Sequence, residues 1–296
     1  MDEQVHRPVM VEEAVHQLNC RPHDDVLDCT VGAGGHAEAI LTATAPDGRL
    51  FGIDRDREVL TYAMKKLERF GQRAILRSGP FDQARALFPE MGEVHGVLLD
   101  LGVSSLQLDV PERGFSFSKG GELDMRMDRS SGESAADLLA RIPEAELSRL
   151  LSAYGEERFA RRIARAIVRE RKSAPLTRTD QLAEVIYRAV PPAYRHGRLH
   201  PATRTFQALR IAVNQELEIL ERGLVEAIRC LSRGGRICVI SFHSLEDRVV
   251  KFTFRSFDRV QKILRVLTKK PILPRPEEIL GNPRARSAKM RAAERL

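Results

Sequence analysis

The stretch Val26-Leu27-Asp28-Cys29-Thr30-Val31-Gly32-Ala33-Gly34-Gly35-His36 passes from an apolar run into a glycine cluster, and 22 residues after Gly32 a second apolar run, Leu50-Phe51-Gly52-Ile53, ends in Asp54. The first run predicts a buried strand entering a tight turn, and Ala37-Glu38-Ala39-Ile40-Leu41 predicts the start of a helix. Glycines let the backbone take positive φ and let a ligand approach the main chain, while the helix start offers unpaired N–H groups. An acid about 20 residues on, at the tip of the next strand, is where Rossmann-type folds bind ribose hydroxyls, and Asp54 fits that role. The Gly-x-Gly-x-x-Ala pattern by itself also describes an ordinary strand-to-helix turn. Asp28 and Thr30 sharpen the reading, because a carboxylate ahead of the turn repels a pyrophosphate and suits an ammonium or sulfonium cation. That favours S-adenosylmethionine over NAD.

Outward from this turn, strands are predicted at Val26 to Cys29, Leu50 to Ile53, Ala74 to Leu76 and Val94 to Leu99, with helices over Glu58 to Phe70 and Asp82 to Phe88. Such alternation makes a parallel sheet covered by helices. Beyond Asp100 it stops. A polar stretch, Gly114 to Gly121, leads to helical patterns at Ala135 to Arg141, Glu144 to Tyr154, Glu156 to Lys172 and Thr179 to Ala189. A long helix over Phe206 to Leu231, the pair Gly234-Gly235 and the strand Arg236 to Ile240 then extend the same sheet. The expected fold is α/β, a Rossmann-like sheet over 1–105 and 209–296 with an inserted, mainly helical second domain over 106–208.

Apolar residues make up 43% of the 296 and charged ones 30%, which excludes a disordered chain and allows a sizeable core. Four scattered cysteines, Cys20, Cys29, Cys230 and Cys238, form no Cys-x-x-Cys pair and read as buried thiols of a reducing compartment. Met1 to Pro8 lacks the pattern of a leader, and no apolar run reaches membrane-spanning length. A soluble, cytoplasmic protein is expected. The net charge is +7, yet Lys251 to Leu296 alone holds 13 Lys+Arg against 4 Asp+Glu. That segment is a candidate polyanion contact or a solvated basic surface.

Further candidates lie where strands end. Leu98-Leu99-Asp100-Leu101-Gly102 predicts a buried strand closing on a carboxylate, and ligands of open α/β sheets sit at such carboxyl ends. Phe81, after Gly79-Pro80, is placed to stack on an adenine ring or to join the core. Phe115 and Phe117 in Arg113-Gly114-Phe115-Ser116-Phe117 suit a lid, a base-stacking surface or an anchor between domains. On the helix Glu156 to Lys172, Phe159, Ile163 and Ile167 form an apolar stripe among seven basic residues, so its other face either contacts phosphates or is solvated. Ser241-Phe242-His243-Ser244-Leu245-Glu246-Asp247 lacks a nucleophile elbow and reads as pocket floor rather than a hydrolase triad. His196 and His200 have no third ligand beside them, so no metal is predicted.

Taken together, Asp28-x-Thr30-x-Gly32-x-Gly34-Gly35-His36, Leu101-Gly102-Val103-Ser104-Ser105-x-Gln107-x-Asp109, Arg113-Gly114-Phe115-Ser116-Phe117 and Leu123-Asp124-Met125-Arg126-Met127-Asp128 resemble the bacterial 16S ribosomal RNA cytosine-N4 methyltransferases. The later strings His200-Pro201-Ala202-Thr203-Arg204, Ser241 to Arg248 and Asn282 to Lys289 extend the resemblance in order along almost the whole chain. It implies a Rossmann-like methyltransferase domain with a helical insertion, S-adenosyl-L-methionine as methyl donor, and a cytidine of the decoding region as target. The partner implied is 16S rRNA within the small ribosomal subunit or its precursor; monomer and homodimer both stay open. Cofactor positions carry over to Gly34, Gly35, His36, Asp54, Phe81, Asp100 and Gln107, with His36 and Gln107 resting on the resemblance alone. Asp100 is the candidate catalytic group. Where other amino-methyltransferases carry Asp/Asn-Pro-Pro-aromatic, this chain has Asp100-Leu101-Gly102-Val103, so the stacking aromatic is sought at Phe115, Phe117 or Phe242. An NAD-linked oxidoreductase and a non-catalytic RNA-binding factor are the rival classes.

Overall fold

The computed structural model describes residues 8–197 and 199–296; the stretch Met1 to Arg7, read above for a leader, lies outside the described residues. In chain order, α1 (Val11–Leu18) precedes β1 (Val26–Asp28), α2 (Gly35–Ala43), β2 (Leu50–Asp54), α3 (Arg57–Leu67), β3 (Ala74–Ser78), α4 (Ala84–Leu87) and β4 (Val94–Asp100). Seven helices follow: α5 (Ser105–Asp109), α6 (Ala135–Arg141), α7 (Glu144–Gly155), α8 (Ala160–Glu170), α9 (Thr179–Ala189), α10 (Pro192–Arg195) and α11 (Thr203–Asn214). The chain closes with α12 (Glu216–Cys230), β5 (Leu231–Ser241), α13 (Ser244–Arg259), β6 (Leu264–Val266), α14 (Pro276–Gly281) and β7 (Lys289–Arg295). Two compact units result, one holding the chain up to Ser104 and from Leu217 on, the other Ser105–Glu216.

In the first unit the strands run in the order β3-β2-β1-β4-β5-β7-β6. The first five are parallel, and β7 runs antiparallel to both β5 and β6. Alternate residues of each strand face opposite sides, so Leu27, Phe51, Val97 and Leu99 enter one core with α12 and α13, while Val26, Leu50 and Leu98 enter another with α2 and α3. Burial on both faces is why these strands read as apolar runs rather than alternating ones. Strand order reverses between β1 and β4, and a ligand crevice is expected at that switch point. Asp28 and Asp100 end the two strands that flank it.

The basic C-terminal segment is folded structure, with part of its charge paired inside the unit and Arg284 and Arg286 exposed. β7 lies inside the sheet, between β5 and β6, and Arg291 is 7% exposed with its guanidinium forked onto Asp247 at 2.6 and 3.2 Å. Arg236 and Arg265 both hold Glu294, at 3.1 and 2.6 Å, and Arg295 donates to the Leu231 carbonyl. A buried guanidinium must be paired, and these pairings hold the last hairpin in place.

The second unit is helical. Ile163, Ala164 and Ile167 bury the apolar stripe of α8, whereas Arg158, Arg161, Arg162, Arg165 and Arg169 stay exposed. The predicted helix start at Glu156 moves to Ala160, because Glu156 takes a left-handed conformation and the Glu157 carboxylate accepts from Phe159 N. The predicted long helix from Phe206 breaks into α11 and α12 at Gln215, which is also left-handed (φ 51°). Asn214 causes the break: its amide oxygen accepts from Met127 N, and its nitrogen donates to the Met125 and Arg210 carbonyls. The unit boundary therefore falls at Glu216/Leu217 rather than 208/209. Phe115 is buried; Phe117 stacks on the exposed ring of His200 at 4.6 Å. Among the described residues no helix is long and apolar enough to cross a membrane.

Candidate cofactor and catalytic site

The site is built from β1 outward. Asp28 is fully buried; its Oδ1 accepts from Thr30 N at 3.0 Å and its Oδ2 has no hydrogen-bond partner. The Thr30 hydroxyl accepts from Asp100 N at 2.6 Å and so ties the turn after β1 to the end of β4. Gly34 sits at φ 85°, where a Cβ would stand 3.3 Å from the Ala63 backbone, so only glycine fits the turn against α3. Gly35 then opens α2, with Pro8 against it.

Asp54 is a hub as well as a candidate ligand. Its Oδ2 accepts from Gly32 N at 2.8 Å, its Oδ1 from Asp56 N at 2.9 Å, and its carbonyl from Gly79 N at 3.0 Å. The carboxylate thus holds the glycine turn and the start of α3 together, with a lone pair left on each oxygen.

Asp100 keeps 17% of its side chain exposed, yet its Oδ1 is enclosed and has no hydrogen-bond partner. Its Oδ2 lies 3.6 Å from Nδ1 of the buried His36, whose Nε2 is 2.9 Å from the Val9 carbonyl. Nε2–H therefore donates to Val9, and Nδ1 is the ring atom turned toward Asp100. A proton on either group turns that approach into an attraction.

Burial sets the charge balance. It pushes Asp28 up to about 7, with Asp54 adding to the rise and the Thr30 N–H opposing it. It also pushes Asp54 up to about 6 against the N–H groups of Asp56 and Gly32. Asp100 rises well above the usual carboxylate range by burial, then by the charges of Asp28 and Glu246. Three carboxyls at neighbouring strand ends, two with an unsatisfied buried oxygen, are chemistry that a cationic ligand would satisfy.

The loop after β5 caps a helix rather than forming a triad. Glu246 is 3% exposed, and its Oε2 accepts from Phe242 N at 2.8 Å and His243 N at 3.2 Å, while His243 Nδ1 accepts from Glu246 N at 3.3 Å. Sequence reasoning placed Glu246 in a loop of the pocket floor and gave it no role of its own. Its spacing from the cap residue was the available signal, being that of a capping box. Phe242 lies beside Gly102, so of the three aromatic candidates it is the one in the same unit as Asp100. Phe81 packs its ring against Gly223 of α12, where a Cβ would come within 2.1 Å of Cε2, and borders the core. Gln107 is buried in α5, in the second unit.

A profile of the MraW methylase family matches residues 3–296. The chain belongs to the MraW methylase family. Among relatives of this MraW-family chain, ribosomal RNA small subunit methyltransferase H of Trichlorobacter lovleyi is 49% identical with all of both chains covered. The proteins of the same name from Pelobacter propionicus and Syntrophotalea carbinolica are 51% and 50% identical, each over 98% of both chains. MraW-family membership makes S-adenosylmethionine the cofactor against which the carboxyl cluster is to be read.

Proposed function

We propose that this chain methylates the exocyclic N4 amine of a cytidine in the decoding region of 16S rRNA, within the small ribosomal subunit or its precursor, in the cytoplasm. The observation that carries the reading is the end-to-end match to relatives named as small-subunit ribosomal RNA methyltransferases. The orphaned oxygens of Asp28 and Asp100 support the charge of the cofactor. Monomer and homodimer both satisfy the proposal, and sedimentation distinguishes them.

When bound, S-adenosylmethionine supplies a methyl group on a positively charged sulfur. Gly34 and Gly35 let the cofactor approach the backbone, Asp54 accepts from the ribose hydroxyls, and the exposed side of Phe81 meets the adenine. Gln107 is assigned by resemblance alone. The cytosine amine is a weak nucleophile because its lone pair is shared with the ring, so alignment at about 3 to 3.5 Å does much of the work. Asp100 accepts a hydrogen bond from the amine, orients it, and takes the proton that the nitrogen sheds on methylation. Its raised proton affinity makes it a stronger base than a surface carboxylate. His36, fixed by Val9, positions the second Asp100 oxygen.

Incubating the protein with methyl-labelled S-adenosylmethionine and small subunits from cells lacking the enzyme is expected to yield labelled N4-methylcytidine after nuclease digestion. Cofactor binding without RNA label, or label on another atom, overturns the reading.

The raised carboxyls also fix a pH dependence. A cation stabilises the ionised forms of Asp28 and Asp54, so binding expels protons and affinity rises with pH through about 6 to 7. One proton expelled gives about a tenfold gain per pH unit in that window, levelling above it. Without ligand the sign reverses: acids whose folded pKa is raised favour the folded state at low pH, and that contribution fades as pH climbs from about 4 to 7. Calorimetry in buffers of different ionisation heat reads the released proton, and pH-independent affinity from 5.5 to 8 contradicts the assignment.

A further inference from the structure

We propose that the cleft between α7 and α8 is a phosphate-binding subsite that anchors the RNA chain, an inference that rests on the proposed RNA substrate. The cleft has a volume of about 510 Å³ and lies within the second unit. Arg149 and Ser152 line it from α7, and Arg158, Arg161 and Arg162 from the turn before α8 and its first residues. Glu157 is the one carboxylate in the lining, and it is committed inside the unit. It is 3% exposed and accepts from Phe159 N at 2.8 Å and from the Tyr194 hydroxyl at 3.0 Å.

Four arginines therefore line one cleft against the single carboxylate of Glu157, whose oxygens are turned to Phe159 N and the Tyr194 hydroxyl, so positive charge is left in excess. Among the described residues Arg149, Arg161 and Arg162 have no ion-pair partner, and Arg158 lies over the Phe159 ring at 5.1 Å. Arg165, one turn further along α8, approaches Glu144 at 3.6 Å instead. Like charges gathered this way repel one another, and the complement that relieves them is a polyanion. Guanidinium forks match phosphate oxygens in pairs, which a diffuse lysine surface does not. The volume exceeds that of a single phosphate group, which suits consecutive units of a phosphodiester chain. The sequence grouped Arg158, Arg161, Arg162, Arg165 and Arg169 as one basic face. The geometry divides them, joining the first three to Arg149 and leaving Arg165 and Arg169 outside the lining.

The test uses the full chain and a fluorescent RNA fragment of the small-subunit decoding region, with binding followed by anisotropy across salt concentrations. R149Q/R161Q/R162Q is expected to weaken binding about tenfold or more and to reduce the log–log salt slope by about 2, since each lost single-strand phosphate contact removes about 0.7. Melting temperature and S-adenosylmethionine affinity stay unchanged. The outside pair R165Q/R169Q is expected to reduce the slope by less than about 1. Equal losses from the two sets assign the effect to diffuse charge and overturn the subsite, as does unchanged binding by the triple variant. Polyglutamate that displaces RNA as well as unlabelled RNA does assigns the cleft to an acidic peptide and also overturns it. If the triple variant does not fold, R149Q and R161Q singly, each expected to cost about threefold, carry the same comparison. Wild-type protein that methylates RNA while the triple variant binds normally removes the cleft alone; wild-type protein that neither binds nor methylates RNA removes the proposed function with it.

Discussion

Asp100→Asn should slow methyl transfer by about a hundredfold or more at saturating cofactor and RNA, because a positioned proton acceptor contributes about 10²- to 10⁴-fold. Asn keeps the shape of the side chain and the backbone bond from Asp100 N to the Thr30 hydroxyl, so β4 and its loop stay in place. What is lost is the charge and the capacity to take the proton from the amine. Cofactor affinity is expected to fall by less than the rate does, about tenfold at most, since Asp28 remains to meet the positive charge. Single-turnover rates set beside calorimetric affinities separate the two effects. The pH profile gives a second readout. The wild-type rate should climb as the raised Asp100 ionises, and the variant should lose that limb. Turnover near wild type with both substrates saturating reduces Asp100 to a cofactor ligand.

The parts of the fold that were legible in the sequence are those whose cause is local. β1, β2 and β4 sit in the middle of a sheet buried on both faces, so each is an apolar run, and each ends where an Asp or a glycine turn interrupts it. β2 and β4 run one residue further than predicted, because their closing Asp still pairs with its neighbour, and β1 stops one residue sooner, at Asp28. The same holds for where the three acids lie. Asp28, Asp54 and Asp100 could be named because strand ends and a glycine turn place them at one edge of a parallel sheet.

What escaped depends on partners far along the chain. The residues from Phe206 to Leu231 keep helical periodicity throughout, and nothing local announces a break at Gln215. The break comes from Asn214 bonding to Met125 and Met127, 89 and 87 residues earlier. Charge at the C-terminus likewise does not announce its partners. Arg291 looks like a surface cation until Asp247, 44 residues upstream, is seen to receive it. His36 carries no local signature either, since its bond to Val9 and its approach to Asp100 are both tertiary. Phe81 was left between two readings, and the glycine that lets its ring pack on α12 lies 142 positions away, at Gly223.

Asp54→Ala should weaken S-adenosylmethionine binding by roughly 10- to 150-fold, the equivalent of losing about 1.5 to 3 kcal/mol of hydrogen bonding to a charged group. The structure complicates the cause, because the same carboxylate accepts from Gly32 N and Asp56 N. Removing it both deletes the ribose acceptor and frees the glycine turn, and a loss of affinity alone does not tell the two apart. A cofactor analogue lacking a ribose hydroxyl does. If Asp54 holds the ribose, the wild type discriminates against the deoxy analogue and Asp54→Ala binds both ligands nearly alike, since the acceptor that read the hydroxyl is gone. If Asp54 acts only by bracing the turn, the variant binds both more weakly and keeps the full discrimination. Titrating the two ligands against the two proteins closes a cycle in which the coupling, rather than either single loss, measures the ribose contact. A coupling near zero assigns Asp54 to the turn and moves the ribose site elsewhere.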